Sequence, residues 1–194
     1  QGLDHARRAL RAAADDPGAV DDPGVLCDVA YVLGYFERDI NPAIDFIDRS
    51  LQLNPSSAIG WTRSGWLRLW NGQHELAIKH FETSSRLNPR RRHPALFGIA
   101  ASHFFARRLE EAAAKFLPLV EQSPNWAPGH RFLASCYAHM GRLDEAHDII
   151  NTLGKITPVI IPGAEHWRIP KDREFFLAGL RLAAQSRGMP QTRG

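Results

Sequence analysis

Residues 61–89 read WTRSGWLRLWNGQHELAIKHFETSSRLNP, and their small and helix-breaking residues are spaced as the parts of one helical hairpin. Gly65 lacks a side chain where a first helix must lie close to a second, and Ala77 does the same from the second helix. The two can therefore cross closely, with Trp61 and Phe81 expected to be buried between them. Gly72 tolerates positive φ and ends the first helix. Asn88-Pro89 ends the second, because proline has no N–H and biases the residue before it away from helix.

The same skeleton recurs on both sides. Ala43 and Pro55 lie 34 residues ahead of Ala77 and Pro89, and LQLNP matches SRLNP, so a repeat covers 24–57. Its first helix should start near Val25, after the turn-rich stretch Asp21-Asp22-Pro23-Gly24. In that helix Tyr31 falls where Gly65 lies one repeat later, so Gly34 is expected to take over the close contact. On the other side, Ala112, Phe116 and Pro124 follow at a spacing of 35, which places one inserted residue in the turn Arg90-Arg91-Arg92. Ala146 and Pro158 return to 34. The repeats are thus 24–57, 58–92, 93–126 and 127–158, with turns between paired helices near Gly72, Arg107-Arg108 and Gly141. Pro118 interrupts AAAKFLPLVEQ and is expected to kink its helix at the carbonyl of Ala114.

Outside these repeats, the pattern of Leu3, Ala6, Leu10 and Ala13 reads as the second helix of a half repeat over 1–16. After Pro158, VIIPGAEHWRIP has prolines and a glycine that oppose a helix, so 159–170 should be an extended connector. The final helix, 171–188, opens after Pro170 with Asp172 and Glu174 and presents Phe176, Leu180 and Ala183 on one face, with Gly188 as its stop. A helix of that kind caps the last exposed apolar face of a repeat array.

Composition narrows the function classes. The apolar share of 44% and charged share of 23% are those of a globular protein, and no run of about 18 uncharged apolar residues exists to span a bilayer. Cys27 and Cys136 stand alone, without a CxxC, as reduced thiols of a cytoplasmic protein would. A net charge of +3 does not by itself call for nucleic acid, and the arginine triplet reads as a solvated loop, with a phosphate or acidic-partner contact as the alternative. No phosphate loop and no GxGxxG turn is present. His74 and His80 are six apart, off the i, i+4 pair of a metal-binding helix, and His103, His130 and His139 read as surface or packing residues. No catalytic residue, cofactor site or metal site is expected. The chain has no initiator Met and no signal-peptide core, and we read it as a piece of a longer protein.

The separations of Trp61, Gly65, Ala77, Phe81 and Pro89 resemble the tetratricopeptide (TPR) repeat, a helix–turn–helix unit of 34 residues. The resemblance implies an all-α fold, an α-α superhelix built as one TPR solenoid domain over 1–194, with a C-terminal capping helix. In TPR arrays the inner faces of the first helices line a groove. That geometry implies a lining of Tyr35, Phe36, Thr62, Trp66, Trp70, Phe97, Phe104, Phe105, Arg131 and His139. The groove is aromatic: some of these rings are expected to pack repeats together or to lie under the terminal helix, and as a cluster they call for an apolar or amphipathic occupant docked as a helix, which is the chain's own C-terminal helix, another protomer in a homodimer, or a peptide of a partner protein. No direct nucleic-acid contact and no membrane insertion is expected. Some TPR domains clamp a peptide carboxylate with Lys, Asn and Arg, which Thr62 and Trp66 do not supply.

More specifically, IDRSLQLNPSSAIGWTRSGWLRLWNGQHELAIKHFETSSRLNP together with the ending RIPKDREFFLAGLRLA resembles the C-terminal TPR regions of bacterial, rhizobial-type class III adenylate/guanylate cyclases. TPR regions of winged-helix transcriptional regulators look similar at the same positions. The first resemblance implies a non-catalytic regulatory module of a cAMP-producing protein. The second implies an effector or oligomerisation region of a DNA-binding one.

Overall fold

A computed structural model describes residues 22–185. Every regular element among them is helical, and the chain divides into two compact units, one ending at Gly98 and one starting at Ile99. The half repeat expected over 1–16 and the stop at Gly188 lie outside the described residues.

The first unit contains α1 (Pro23–Phe36), α2 (Asn41–Leu53), α3 (Ala58–Trp70), α4 (His74–Leu87), a short 3-10 turn at Pro89–Arg91 and the start of α5 (His93–Phe105). Helix α1 pairs with α2 and α3 with α4, and α3 also packs on α1 and α2. The second unit takes the rest of α5, then α6 (Leu109–Gln122), α7 (Ala127–His139), α8 (Leu143–Ile156) and α9 (Pro170–Gln185). Here α7 is the hub, packing on α6, α8 and α9.

Helix ends follow from residue chemistry. Asp22 caps α1, its Oδ1 accepting from the N–H groups of Gly24 (2.8 Å) and Val25 (2.9 Å), so the helix opens at Pro23, two residues before the expected start. Three first helices stop at a residue with positive φ: Gly72 (75°), Arg107 (64°) and Gly141 (76°). At each one the next N–H reaches back to a carbonyl of the last turn: Gln73 to Arg68, Arg108 to His103 and Arg142 to Tyr137, all at 2.9 Å. This is the glycine-type helix stop, and Arg107 adopts it despite its Cβ. The second helices α2, α4, α6 and α8 all end two residues before a proline, Pro55, Pro89, Pro124 and Pro158. Within α6 the helix continues through Pro118 to Gln122. Pro118 and Ala114 are both exposed, so water can reach the carbonyl that the proline leaves unbonded.

Close helix contacts depend on missing side chains. A Cβ on Gly65 would lie 2.6 Å from the Phe81 ring and one on Gly98 2.3 Å from it, so both glycines make room for a ring that is fully buried. Gly34 has the same relation to Leu67, at 2.0 Å. The expectation for Trp61 needs correcting. It is only half-buried, lying edge-on to His80 at 4.9 Å, and its Nε1 donates to the Pro55 carbonyl at 2.8 Å. An indole with an N–H to satisfy sits where one end meets a carbonyl, whereas Phe81 can be enclosed on all sides.

Candidate functional site

The ten residues of the expected groove lie in different surroundings in the two units. In the second unit, the inner face of α5 and α7 is covered by the chain's own C-terminal segment. Phe104 is fully buried, with ring centroids of Phe132 at 5.3 Å and Phe175 at 5.1 Å. Phe105 is buried against Trp167 of the connector, 4.4 Å away. Arg131 donates through Nη2 to the Val159 carbonyl (2.6 Å) and through Nε to that of Ile160 (3.2 Å), fixing the connector by its backbone.

His139 lies parallel to Phe175 with centroids 3.8 Å apart, and its Nε2 donates to the Phe175 carbonyl at 2.7 Å, which places the imidazole proton on Nε2. The Arg107 guanidinium lies 3.7 Å from the centre of the same ring, and two groups this close must occupy its opposite faces. Arg107 also pairs with Asp172 at 3.2 Å. Burial holds the His139 pKa below its ordinary value, the Phe175 carbonyl opposes that shift and the Arg107 charge adds to it. Ser135 donates to the Phe176 carbonyl at 3.2 Å, and a Cβ on Gly179 would fall 2.0 Å from Ser135 Oγ, so α9 rests on α7 at a glycine. Asp172, read from sequence as an acid that favours the helix N-terminus, is also buried and bonded to Arg107.

In the first unit the inner face of α3 is only partly used for packing. Trp70 is 3% exposed and belongs to the core, with Tyr31 at 5.5 Å, Tyr35 at 5.7 Å and Trp66 at 6.2 Å. Phe97 is buried against Trp66 at 5.7 Å. Thr62 is tied to Ser84, with their hydroxyls 2.6 Å apart so that one donates to the other, and the Ala58 carbonyl lies within reach of both, at 3.2 and 2.8 Å. Trp66 keeps part of its ring accessible, and Tyr35 and Phe36 stand exposed at the end of α1.

Beside Trp66, α1, α3, α4 and the 3-10 turn enclose a recess of about 370 Å³. Its lining includes residues absent from the expected set, among them Tyr31, Ile59, Arg63 and Arg91. Ile59, Thr62, Arg63 and Trp66 are spaced i, i+3, i+4 and i+7, the signature of one helix face, which was the available signal. Arg91 carried no such signal, because it reaches the recess only through the turn. Arg63 holds Asp28 and Cys27 through Nη1 and lies 5.4 Å from the Tyr31 ring centre. Burial pushes the Cys27 thiol pKa up, and the neighbouring Arg63 counters it.

Ser64 Oγ lies 3.0 Å from His80 Nδ1, but Ser64 is fully buried, so no acyl group can reach it. His103 pairs with Glu111 at 2.9 Å, and His130 is buried with its Nδ1 3.1 Å from the Trp126 carbonyl. No three His, Cys, Asp or Glu side chains among the described residues are placed to hold a metal ion. No helix among them is long and apolar enough to cross a membrane.

Solved structures share this architecture. The TPR protein YrrB, whose structure is described as having an unusual peptide-binding site, is similar over 92% of this chain and 91% of its own, with a TM-score of 0.59 and 19% identity. The fold is that of the tetratricopeptide proteins. MamA from Desulfovibrio magneticus RS-1 is similar over 80% of this chain and 92% of its own (TM-score 0.63, 18% identity), and MamA of AMB-1 over 80% and 94% (TM-score 0.58, 24% identity). No protein-family model matches the sequence, and no curated protein does.

Proposed function

We propose that the chain is a non-catalytic interaction module that binds a segment of a partner protein at the inner face of its first unit, and that it is the C-terminal regulatory part of a bacterial class III adenylate cyclase working in the cytoplasm. One observation carries the binding reading. The inner face of the second unit is filled by the chain's own residues 159–176, whereas Trp66 in the first unit borders an open recess. A half-exposed indole has large apolar area and few rotamers to freeze, which suits it to anchor a partner segment. The peptide-binding site named for YrrB, on the same fold, supports this reading. The attachment to a cyclase rests on the resemblance of 47–89 and 168–183 to the tails of those enzymes.

The two parts are tested separately. Trp66→Ala should abolish partner binding measured by titration calorimetry while the helical circular dichroism is unchanged, and retained binding would remove the recess from the account. The chain alone, given nucleoside triphosphate and a divalent metal, should form no cyclic nucleotide, while the sequence upstream of Gln1 should encode a cyclase domain with paired metal-binding aspartates. A helix-turn-helix with a basic recognition helix in that place would overturn the cyclase assignment.

A further inference from the structure

The recess beside Trp66 is small and its charge is one-sided. A volume of about 370 Å³ is at the lower end of ligand pockets, enough for one or two side chains and too little for a docked helix. Tyr31, Ile59 and Trp66 supply its apolar surface, and the charged side chains that line it are two guanidinium groups, Arg63 and Arg91. The nearest carboxylate partner is Asp28, whose side chain is 70% exposed and which engages Arg63 through Nη1 alone. Nη2 and Nε of Arg63 donate no hydrogen bond among the described residues, and neither is a buried, unsatisfied atom. Arg91 is exposed, and among the described residues its guanidinium pairs with no carboxylate. Its backbone is fixed by the turn, in which the Asn88 side chain accepts from the Arg91 N–H at 3.3 Å. Arg90, in the same turn, does not line the recess.

From this arrangement we infer that the recess selects a short acidic segment of a partner protein, with one apolar side chain on Trp66 and Ile59 and a flanking Asp or Glu carboxylate between Arg63 and Arg91. A planar guanidinium is matched to a carboxylate, and two of them on one rim give charge complementarity that a neutral or basic segment lacks. The inference rests on the binding reading above and narrows it to a class of ligand.

The test uses the full 194-residue chain and a display library of random twelve-residue peptides, with Trp66→Ala and Ile59→Gln chains as counter-targets. Ile59 is 59% exposed, so that variant keeps the fold. Sequences retained by the unaltered chain and lost on both variants should be rich in Asp and Glu next to an aliphatic or aromatic residue. A synthetic peptide from that set should bind at least about tenfold more tightly than its Asn/Gln counterpart, and the gap should close as salt rises from about 0.05 to 0.5 M. Arg91→Gln should remove that tenfold preference without altering the neutral peptide, while Arg90→Gln leaves both affinities in place. Selected sequences that are neutral or basic yet depend on Trp66 and Ile59 would overturn the acidic class and leave the recess as a binding site. If no selected sequence depends on either residue, the recess is not a peptide site and both readings fall.

Discussion

The two units start from the same repeat and treat its inner face in opposite ways. In the second, α9 and the connector close over Phe104, Phe105 and Phe132, and polar groups fix them in place: Arg131 on two carbonyls, His139 on a third, Arg107 on Asp172. In the first, Trp70 and Phe97 turn into the core, and Trp66, Tyr35 and Phe36 remain accessible. The same kind of aromatic face is therefore a folding element where the chain supplies its own cover and a surface where it does not. Which role a ring takes depends on what returns to meet it.

The contrast predicts a descending series of effects. Phe104→Ala should cost about 3–5 kcal/mol in denaturant unfolding, because it empties a fully enclosed site among four other phenylalanine rings. A loss under about 1 kcal/mol would show that the C-terminal segment does not cover this face in solution. Gly179→Ala should cost about 1–3 kcal/mol by forcing a methyl into the contact with Ser135, and limited proteolysis should then release α9 first. Unchanged cleavage would put the tight contact in doubt.

Acid should also weaken the second unit. Burial pulls the His166 pKa down to about 4, with Arg168 adding to the shift, and His139 is lowered as well. The unfolded chain, whose imidazoles titrate near pH 6.5, takes up protons that the folded unit refuses. Stability is therefore complete above about pH 6.5 and falls as the pH drops toward 4, by on the order of 2 kcal/mol for His166 after allowing for its partial solvation. His166→Gln should flatten the dependence of the unfolding midpoint on pH, and an equally steep profile would assign the acid sensitivity elsewhere.

Arg107 separates backbone strain from side-chain gain. Arg107→Ala loses the contacts with Phe175 and Asp172 but keeps a Cβ at φ 64°, whereas Arg107→Gly loses the same contacts and relieves that strain. The glycine variant should be more stable than the alanine variant by about 1 kcal/mol in paired melting curves. Equal stabilities would mean that the turn relaxes away from positive φ once the guanidinium is gone. The smallest effect belongs to the first unit: Phe36→Ala, at a ring 61% exposed, should change stability by less than about 0.5 kcal/mol. A larger loss would show that the end of α1 is covered in the folded protein.

Much of the architecture was present in local residue chemistry. Pro55, Pro89, Pro124 and Pro158 end helices wherever they occur, because a missing N–H acts at short range. Gly72 and Gly141 mark turns because few residues tolerate positive φ, and Gly34, Gly65 and Ala77 mark helix crossings because only small residues allow them. These rules act within one repeat, so the order of helices and the places where they touch could be read from the sequence alone. Covering of the inner face is different in kind. Phe105 meets Trp167 and Arg131 meets Val159 across stretches of chain whose spacing encodes no contact, and Arg91 enters the recess only because a 3-10 turn points it there. An apolar face of period 3.6 states that a helix has something to bury and does not say against what. That choice was made by tertiary packing, which closed one inner face with the chain's own C-terminal segment and left a two-arginine recess in the other.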